Sequence, residues 1–410
     1  HTNTPTTHHQ HKITRQLLNP ADFLLKLHRQ GNEHEYQPRV IAGSELCIIP
    51  ADSIPSRPRL AALCYHDIRE RPIQLERCLK EIAAHQSHRI LQILNDDGSL
   101  LALSALYRED EKVFVKMLRS SQSQDCYTLI RQMAHDIRRL AAKDGHTQVI
   151  ITDSIPTVGN TMAGSPTSTS SNPISSTIQA VIDEGFTLCG ESWVADVQRD
   201  IITSDDCLPA ELNQISRSEL TPYHIRQYEL RFWPSKVFCG IVPSYRVPIK
   251  PEYARVLLGY EERQARLFED HPLAALAREN VYYKSPRSLE APARILWWVS
   301  DGGETGGMRA MSWLDKVDTG HPNRLYRKYG NLGVLEQGDV EKCASTAGNL
   351  GPRATALLFS QTTVFPQPVP MGTTKRIFTE KEHSPSWVTA QNISEGIVAA
   401  FFKEAFKHEL

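Results

Sequence analysis

Apolar and polar residues follow two kinds of pattern in the first half of the chain. Apolar, β-forming residues flank the turn sequence DDGS (96–99), and this arrangement predicts a β-hairpin. Residues 127–145 instead place apolar side chains on one helical face and end at Gly145, which predicts an amphipathic helix. In order, the predicted elements are a hairpin, a third strand, a polar loop, a long helix and a strand, at 88–110, 112–120, 121–125, 127–145 and 146–153.

A low-complexity stretch and proline-punctuated segments divide the rest of the chain. Residues 156–176 are rich in Ser, Thr, Pro and Gly, which predicts a mobile surface insertion. Residues 277–371 have the pattern of short strands, turns and a short helix, and an apolar helix predicted at 386–406 is expected to pack on them. The predicted organisation is a disordered tail, a first domain that contains the insertion, a linker and a second domain, at 1–13, 14–200, 201–230 and 231–410.

Composition narrows the classes of function. A chain of 410 residues is long for a single core and suggests two domains. The formal charge of -1 excludes a protein held to nucleic acid by charge alone, although it leaves a local basic face open. The eight cysteines include no CxxC pair, so we expect reduced thiols in the cytoplasm, with neither a zinc site nor a disulfide framework. No apolar run reaches the length of a membrane span, so no membrane partner is predicted.

The order hairpin, strand, loop, helix, strand, helix and strand over about residues 40–200 resembles the GNAT acetyltransferase family, and IQAVIDEGF (178–186) is similar to its closing segment. In that family the loop after the central strand cradles the pyrophosphate of acetyl-CoA, because amides at a helix N-terminus stabilise an anion. The resemblance therefore implies acetyl-CoA as cofactor. The residues that it implies for cofactor binding are Met117, Arg119, Ser121, Gln122, Ser123 and Gln124.

The resemblance also indicates where catalysis would occur. Acyl transfer to an amine needs a base, which is expected at Glu109, with Glu111, His135 and His146 as alternatives. Lys116 is expected beside the thioester, because the family's central strand splays at this point to meet the acyl group. Glu109 and Lys116 are thus the predicted catalytic residues.

Two departures from the family pattern keep a second hypothesis open. The loop SSQSQDCYT (120–128) contains no glycine where the family pattern R-x-x-G-x-G/A places them, and Asp125 stands where an anion is expected. Val181 occupies the position, four residues before Gly185, at which the family often keeps a tyrosine as an acid. The loop is therefore either a phosphate cradle or a polar helix start without a ligand.

The second half resembles the PUA-like superfamily, which includes the ASCH and EVE domains. The segments that carry this resemblance are ARILWWVS (293–300), MRAMSWLDKV (308–317), LYRKYGNLGVLEQGDV (325–340) and ATALLFSQTTVFPQPVP (354–370). The superfamily consists of small β-barrels with a helix or two, mostly found on RNA or modified bases. Flat rings and cations are the groups that RNA contact needs. The predicted RNA-binding residues are Tyr282, Tyr283, Lys284, Arg309, Trp313, Arg324, Arg327 and Lys328.

A structural alternative accompanies this prediction as well. Trp297 and Trp298 lie in an apolar strand, so at least one of them is expected in the core. The basic run LYRKYG (325–330) is either an RNA contact or the solvated end of a helix, where cations are favoured by the helix dipole.

The sequence as a whole predicts an α+β protein: an N-terminal GNAT-like mixed sheet flanked by helices, then a C-terminal PUA-like small β-barrel with helices. The first hypothesis is an acyl-CoA-dependent N-acyltransferase that acts on RNA or an RNA-linked amine, with tRNA as the candidate RNA. RNA modification, translational control and a toxin–antitoxin system are the settings that such a pairing suggests. The alternative is a non-catalytic RNA-binding or regulatory protein with a degenerate acetyltransferase fold. No metal site is predicted, and the oligomeric state is left open.

Overall fold

The structure, a computed structural model, contains two seven-stranded sheets and a two-stranded pair. It describes residues 48–50, 54–65, 69–94, 98–121, 125–153, 173–204, 206–258, 278–300, 306–346, 351–381, 384, 386, 387 and 389–407. All of these belong to one compact unit, Gln37–Leu410. The predicted tail at 1–13 and most of the insertion predicted at 156–176 lie outside the described residues.

The first sheet, here the N-terminal sheet, has the strand order β1-β2-β3-β4-β5-β7-β6. Its strands are β1 (Ile48–Pro50), β2 (Arg89–Leu94), β3 (Leu100–Glu109), β4 (Lys112–Ser120), β5 (Gln148–Ile151), β6 (Thr187–Cys189) and β7 (Ser192–Asp196). The predicted hairpin is confirmed as β2 and β3, and the predicted third strand is confirmed as β4. Only β4 and β5 pair in parallel, and a parallel pair requires a crossover, which the long predicted helix supplies.

Helices cover both faces of the N-terminal sheet. Helices α1 (Arg57–Ala61) and α2 (Pro72–Ala83) pack over β2, β3 and the end of β4, where Leu60, Leu75 and Leu79 are buried. The crossover helix α3 (Cys126–Lys143) and the next helix, α4 (Pro173–Asp183), pack on the other face. Since successive strand residues point to opposite faces, Ile90 joins the first core and Leu91 the second.

A connecting region follows the N-terminal sheet. Its strands β8 (Gln198–Thr203) and β9 (Pro234–Phe238) pair in parallel, and between them lie α5 (Ala210–Asn213) and α6 (Pro222–Arg231). Thr221 caps α6 by accepting a hydrogen bond from the backbone N–H of His224, and Pro222 occupies the first helical position.

The second sheet, here the C-terminal sheet, has the order β11-β15-β13-β12-β10-β16, with β14 on β15. Its strands are β10 (Ser244–Ile249), β11 (Glu279–Lys284), β12 (Ala293–Val299), β13 (Gly307–Gly320), β14 (Ser345–Thr346), β15 (Pro352–Pro370) and β16 (Gln391–Asn392). Within the described residues no strand pairing joins β11 to β10 or β16, so the sheet is open there and the predicted closed barrel is not confirmed.

Helices surround the C-terminal sheet on both faces. They are α7 (Pro251–Leu258), α8 (Pro322–Tyr329), α9 (Gln337–Lys342), α10 (Met371–Glu380) and α11 (Glu395–Phe406). The last helix was predicted from residue 386, and this start is wrong. Ser394 begins the helix because its hydroxyl accepts from the N–H of Ile397, while Gln391 and Asn392 pair with β10 instead. None of the described helices combines the length and the apolar character that crossing a membrane requires.

Candidate functional site

The end of β4 is the place where the resemblance predicts an acyl-CoA site. Strands β4 and β5 pair from Lys112 and Gln148 as far as Val115 and Ile151. Beyond that point a side chain joins them: the carboxylate of Asp153 accepts a hydrogen bond of 2.7 Å from the backbone N–H of Leu118. The gap between the strands is thus occupied by the chain's own carboxylate.

Arg119 lies buried in the same corner, between two carboxylates. Its guanidinium donates to Asp153 and, at 3.0 Å, to Glu70, and it lies over the ring of Tyr65 with 4.5 Å between its central carbon and the ring centroid. Burial alone would lower the pKa of Arg119, but the charge of Asp153, with Tyr65 and Glu70, outweighs burial and raises the pKa. The positive charge predicted to meet a pyrophosphate is therefore neutralised from within.

The loop after β4 gives a similar result where the structure describes it. The N–H of Ser121 donates to the carbonyl of Leu101 at 2.7 Å, so it bonds to the sheet. Met117 is buried in the core beneath α1 and α2. At the start of α3 the side chains of Cys126 and Tyr127 are also buried. The remaining predicted cofactor-binding residues, Gln122, Ser123 and Gln124, lie outside the described residues.

The two predicted catalytic residues do not lie together. Glu109 is exposed at the end of β3 and pairs in register with Lys112. Lys116 is four residues further along β4, a distance of about 13 Å at the usual rise per strand residue. Its ammonium group lies 5.9 Å from the centroid of the Tyr107 ring. A base at Glu109 is thus at the far end of the strand from the corner at Arg119.

The predicted RNA-binding aromatic residues lie in the core of the C-terminal sheet. Tyr282, Tyr283 and Trp313 are buried, with 6%, 1% and 3% of their surface exposed. Trp313 donates its indole N–H to the carboxylate of Glu229 at 3.1 Å. Rings in these positions offer no open face for stacking on a base.

The predicted cations divide between interior and surface. Lys284 donates to the carbonyl of Pro248 at 3.1 Å, and burial lowers its pKa to about 8. Arg309 is half-buried on β13. On α8, Arg324 and Arg327 are exposed and Lys328 is half-buried, so the structure brings these three together on one short helix. Arg324 is bound to Asp318 at 2.7 Å.

A second buried arginine, Arg294 of strand β12, was not among the predicted site residues. Arg294 forms two hydrogen bonds with Glu229, at 2.7 and 3.1 Å, and one of 3.2 Å with Glu395. All three side chains are 3% exposed or less. Glu229 also accepts from the N–H of Val237 at 2.8 Å, so α6, β9, β12 and α11 meet at this one guanidinium.

A third group of charged residues joins α3 to β11, and we call this contact the seam. Arg131 bridges Glu184, at 2.9 Å, and Glu279 of β11, at 2.6 Å. Arg278 donates to the ring nitrogen Nδ1 of His135 at 2.9 Å. Burial, followed by the charge of Arg278, lowers the pKa of His135 well below its usual value, so the ring is neutral and accepts.

A close approach of the α6 backbone explains the glycine in the Gly-Phe pair that follows α4. Gly185 has a φ of +84°, and a side-chain carbon there would overlap the carbonyl oxygen of Leu230. That carbonyl and the one of Glu184 accept from Arg138, at 2.8 and 2.6 Å. Burial lowers the pKa of Arg138 to about 10. Arg138 thereby binds backbone carbonyls at the end of α6.

Sequence analysis did not identify Glu70 and Asp153 as partners of Arg119. One signal was present: Arg119 and Asp153 follow neighbouring parallel strands, whose carboxyl ends meet at the same edge of a sheet. Glu70 lies 49 residues before Arg119 with no motif between them. Within the described part of the chain, no group of three or more His, Cys, Asp and Glu side chains is arranged to hold a metal ion.

Comparisons with known proteins give weak structural likenesses. No protein-family model matches the chain, and no curated protein matches it. ASCH from Zymomonas mobilis is 16% identical over 38% of this chain and 90% of its own, with a TM-score of 0.28. Human THYN1, solved with DNA containing 5-methylcytosine, is 9% identical over 40% of this chain and 97% of its own, with a TM-score of 0.26.

An acetyltransferase structure gives a likeness that is no stronger. The GNAT family N-acetyltransferase YhbS from Escherichia coli, solved in complex with CoA, is 15% identical. The likeness covers 26% of this chain and 62% of that one, with a TM-score of 0.22. Likenesses this weak establish neither the fold nor the function of this chain.

Proposed function

We propose that the protein is a non-catalytic RNA-binding or regulatory protein whose acetyltransferase-like half holds no acyl-CoA. The observation that carries this proposal is the filled corner at the end of β4. The carboxylate of Asp153 accepts a hydrogen bond from the N–H of Leu118. Together with Glu70, it also neutralises the charge of Arg119. Of the residues that the GNAT resemblance implies for acyl-CoA, Arg119 is bound by the protein's own carboxylates, Met117 is buried in the core and the N–H of Ser121 bonds to the sheet.

The cost of opening this corner supports the proposal. A pyrophosphate at Arg119 would replace carboxylates that are 10% exposed or less. Breaking a buried ion pair on one side costs about 3–5 kcal/mol. This cost would weaken the binding of acetyl-CoA by roughly two to four orders of magnitude.

The RNA-binding half of the proposal rests on α8. Among the predicted RNA-binding residues, the aromatic side chains are buried, whereas Arg324 and Arg327 are exposed and Lys328 is half-buried. We call these three residues the α8 cation group. Three cations on one helix suit contact with phosphates, which affects affinity without reading sequence. The C-terminal sheet then serves as a rigid support for this helix.

Filter binding of bulk tRNA across a salt series tests this function. The variant Arg324→Gln/Arg327→Gln/Lys328→Gln is expected to bind more weakly and to lower the slope of log K against log salt by about 2. A matched control, Lys143→Gln/Lys375→Gln/Lys381→Gln, removes the same charge from other exposed positions and should keep the wild-type slope. Wild-type protein that shows no salt-dependent binding would contradict the proposal.

A second candidate is the acyl-CoA-dependent N-acyltransferase acting on RNA or an RNA-linked amine. The observation in its favour is that β4 and β5 part after Val115 and Ile151, directly beside the start of α3. Lys116 would then lie nearest the acyl group and Glu109 would act on the acceptor. Acetyl-CoA at about 100 times its dissociation constant should add roughly 2.7 kcal/mol of stability. A thermal shift of that size would favour this candidate.

A further inference from the structure

The turn that brings Glu70 to Arg119 carries its two neighbours outward. The carboxylate of Glu70 accepts from the backbone N–H of Tyr65 at 2.9 Å as well as from Arg119, so Glu70 points inward. Arg69 and Arg71, on either side of it, are exposed. Arg69 has a φ of +55°, in the left-handed region that a non-glycine residue rarely adopts.

Helices α1 and α2 carry further exposed arginines. Arg59, Arg69, Arg71 and Arg77 are exposed, and among the described residues no carboxylate lies within ion-pair distance of any of them; we call these four the arginine face. Glu76, which lies near the face, is bound by Arg57 and Lys80, two further exposed cations.

The charge balance of the segment follows from these contacts. From Arg57 to Glu81 the sequence has six Lys and Arg residues against four Asp and Glu. Of the four acids, Glu70 is turned into the interior and Glu76 is paired with two cations, while Glu81 is exposed. The fourth, Asp67, lies outside the described residues. The described side chains at the surface of this segment therefore carry a net positive charge.

We propose that the arginine face binds the phosphate backbone of RNA, as a second contact surface on the half of the protein that holds no acyl-CoA. This inference rests on the proposed function. Guanidinium groups match phosphate oxygens in a two-pronged geometry, and the face is almost entirely arginine. A protein partner would need an apolar centre, and Ile73, 42% exposed, is the only large exposed apolar residue that the described part of α1 and α2 offers.

The same ion cluster that closes the acyl-CoA corner thus positions the face. Glu70 bonds to Arg119 through its carboxylate and to the carbonyl of Tyr65 through its backbone N–H, while Arg69 and Arg71 on either side of it are exposed. The N-terminal half then binds an anion on its surface rather than in the strand gap.

Salt-dependent binding of bulk tRNA again supplies the test, now with Arg69→Gly/Arg71→Gln/Arg77→Gln. Three lost phosphate contacts should lower the slope of log K against log salt by about 2. The control Lys143→Gln/Lys375→Gln/Lys381→Gln removes an equal charge and should bind as the wild type does. If the triple variant fails to fold, Arg71→Gln and Arg77→Gln singly should each lower the slope by about 0.7–0.9.

The position of Arg69 makes one single variant especially informative. Glycine adopts a φ of +55° without strain, so Arg69→Gly should melt at the same or a higher temperature than the wild type. It should nevertheless bind tRNA with a slope lower by about 0.7–0.9. Weaker binding by a protein of equal or greater stability cannot come from unfolding.

The outcomes separate this inference from the proposed function. An unchanged slope in the arginine-face variant, with a lowered slope in the α8 variant, would overturn the inference and leave the proposed function standing. Wild-type protein that binds no tRNA would overturn both. Loss of binding to polyglutamate with unchanged binding to tRNA would replace RNA by an acidic protein as the partner of this face.

Discussion

Arg294 and Arg119 each lie between two carboxylates, and their surroundings differ. Arg294 is 1% exposed, and its partners Glu229 and Glu395 lie on two helices, so it links the C-terminal sheet to α6 and α11. Arg119 is 5% exposed and meets one carboxylate beyond the end of a strand and another, Glu70, from a surface turn. The first cluster joins elements of the core. The second lies where the sequence predicted the binding of a ligand.

Under the proposed function, the corner at Arg119 is a former ligand site that the protein fills with its own carboxylates, Asp153 and Glu70. At Arg119 the chain supplies Asp153 to the guanidinium that the GNAT resemblance assigns to acyl-CoA, and to the neighbouring N–H of Leu118. The corner gains an ion pair, and the turn beside it displays two arginines to solvent. A buried charge must be paired, whether by a ligand or by the protein.

The largest effect is expected at the more buried arginine. Glu229→Gln removes the charge that faces Arg294 and Lys236 while it keeps the shape of the side chain. The free energy of unfolding should fall by about 3–5 kcal/mol, because Lys236 stays buried without its carboxylate and Arg294 keeps only Glu395. Urea unfolding measures this change, and the exposed control Glu219→Gln should change it by less than about 0.5 kcal/mol. Equal losses in the two variants would remove the contrast between core and surface charge.

A smaller loss is expected at the filled corner. Asp153→Asn keeps an oxygen for the N–H of Leu118 but removes one of the two charges beside Arg119. We expect the free energy of unfolding to fall by about 2–3 kcal/mol. This is less than at Glu229, because Glu229 faces two buried cations, Arg294 and Lys236, whereas Asp153 pairs with Arg119 alone. A double-mutant cycle with Glu70→Gln should show coupling between the two carboxylates. Glu111→Gln, exposed beyond the far end of β3, is the control, and a loss there as large as at Asp153 would contradict the assignment.

The seam adds a further case to this comparison, because there Arg278 donates to a neutral histidine, His135. His135 in the folded protein has a pKa well below its usual value, whereas in the unfolded chain it takes up a proton near pH 6.5, so protons favour unfolding as the pH falls. Its contribution to stability is present above that pH and is lost by about 1.4 kcal/mol per pH unit below it.

Unfolding by urea at several pH values between 7.5 and 5.5 tests this sign. The variant His135→Gln should lose stability less steeply on acidification than the wild type. The control His146→Gln should keep the wild-type steepness. Parallel pH profiles of the wild type and the His135→Gln variant would show that folding does not lower the pKa of His135, and would contradict the account.

The sequence predicted the order of elements in the N-terminal sheet because each element there has a clear local pattern. The hairpin appears as β2 and β3, and the helix predicted at 127–145 occupies Cys126–Lys143. The last helix began nine residues later than predicted, at Glu395, because pairing of β16 with β10 overrode its local pattern. Local signals thus located most elements, and tertiary pairing moved one end.

The candidate site was less predictable, because its decisive contacts are distant in sequence. No sequence motif links Arg119 to Glu70, which lies 49 residues earlier. In the second half, a strand of mixed aromatic and basic residues is typical both of an RNA-binding face and of a buried sheet. Tyr283 and Trp313 lie in the second environment, since helices and strands cover the C-terminal sheet on both sides. The exposed arginines around Glu70 become visible only when the turn is known to point its carboxylate inward.

The filled corner is the central claim, and a crystal structure of the protein grown with excess acetyl-CoA tests it most directly. The account predicts that Arg119 stays between Asp153 and Glu70, that Asp153 stays on the N–H of Leu118, and that no nucleotide lies beside residues 119–128. Electron density for a CoA pyrophosphate beside those residues, with Arg119 turned away from Asp153, would contradict it.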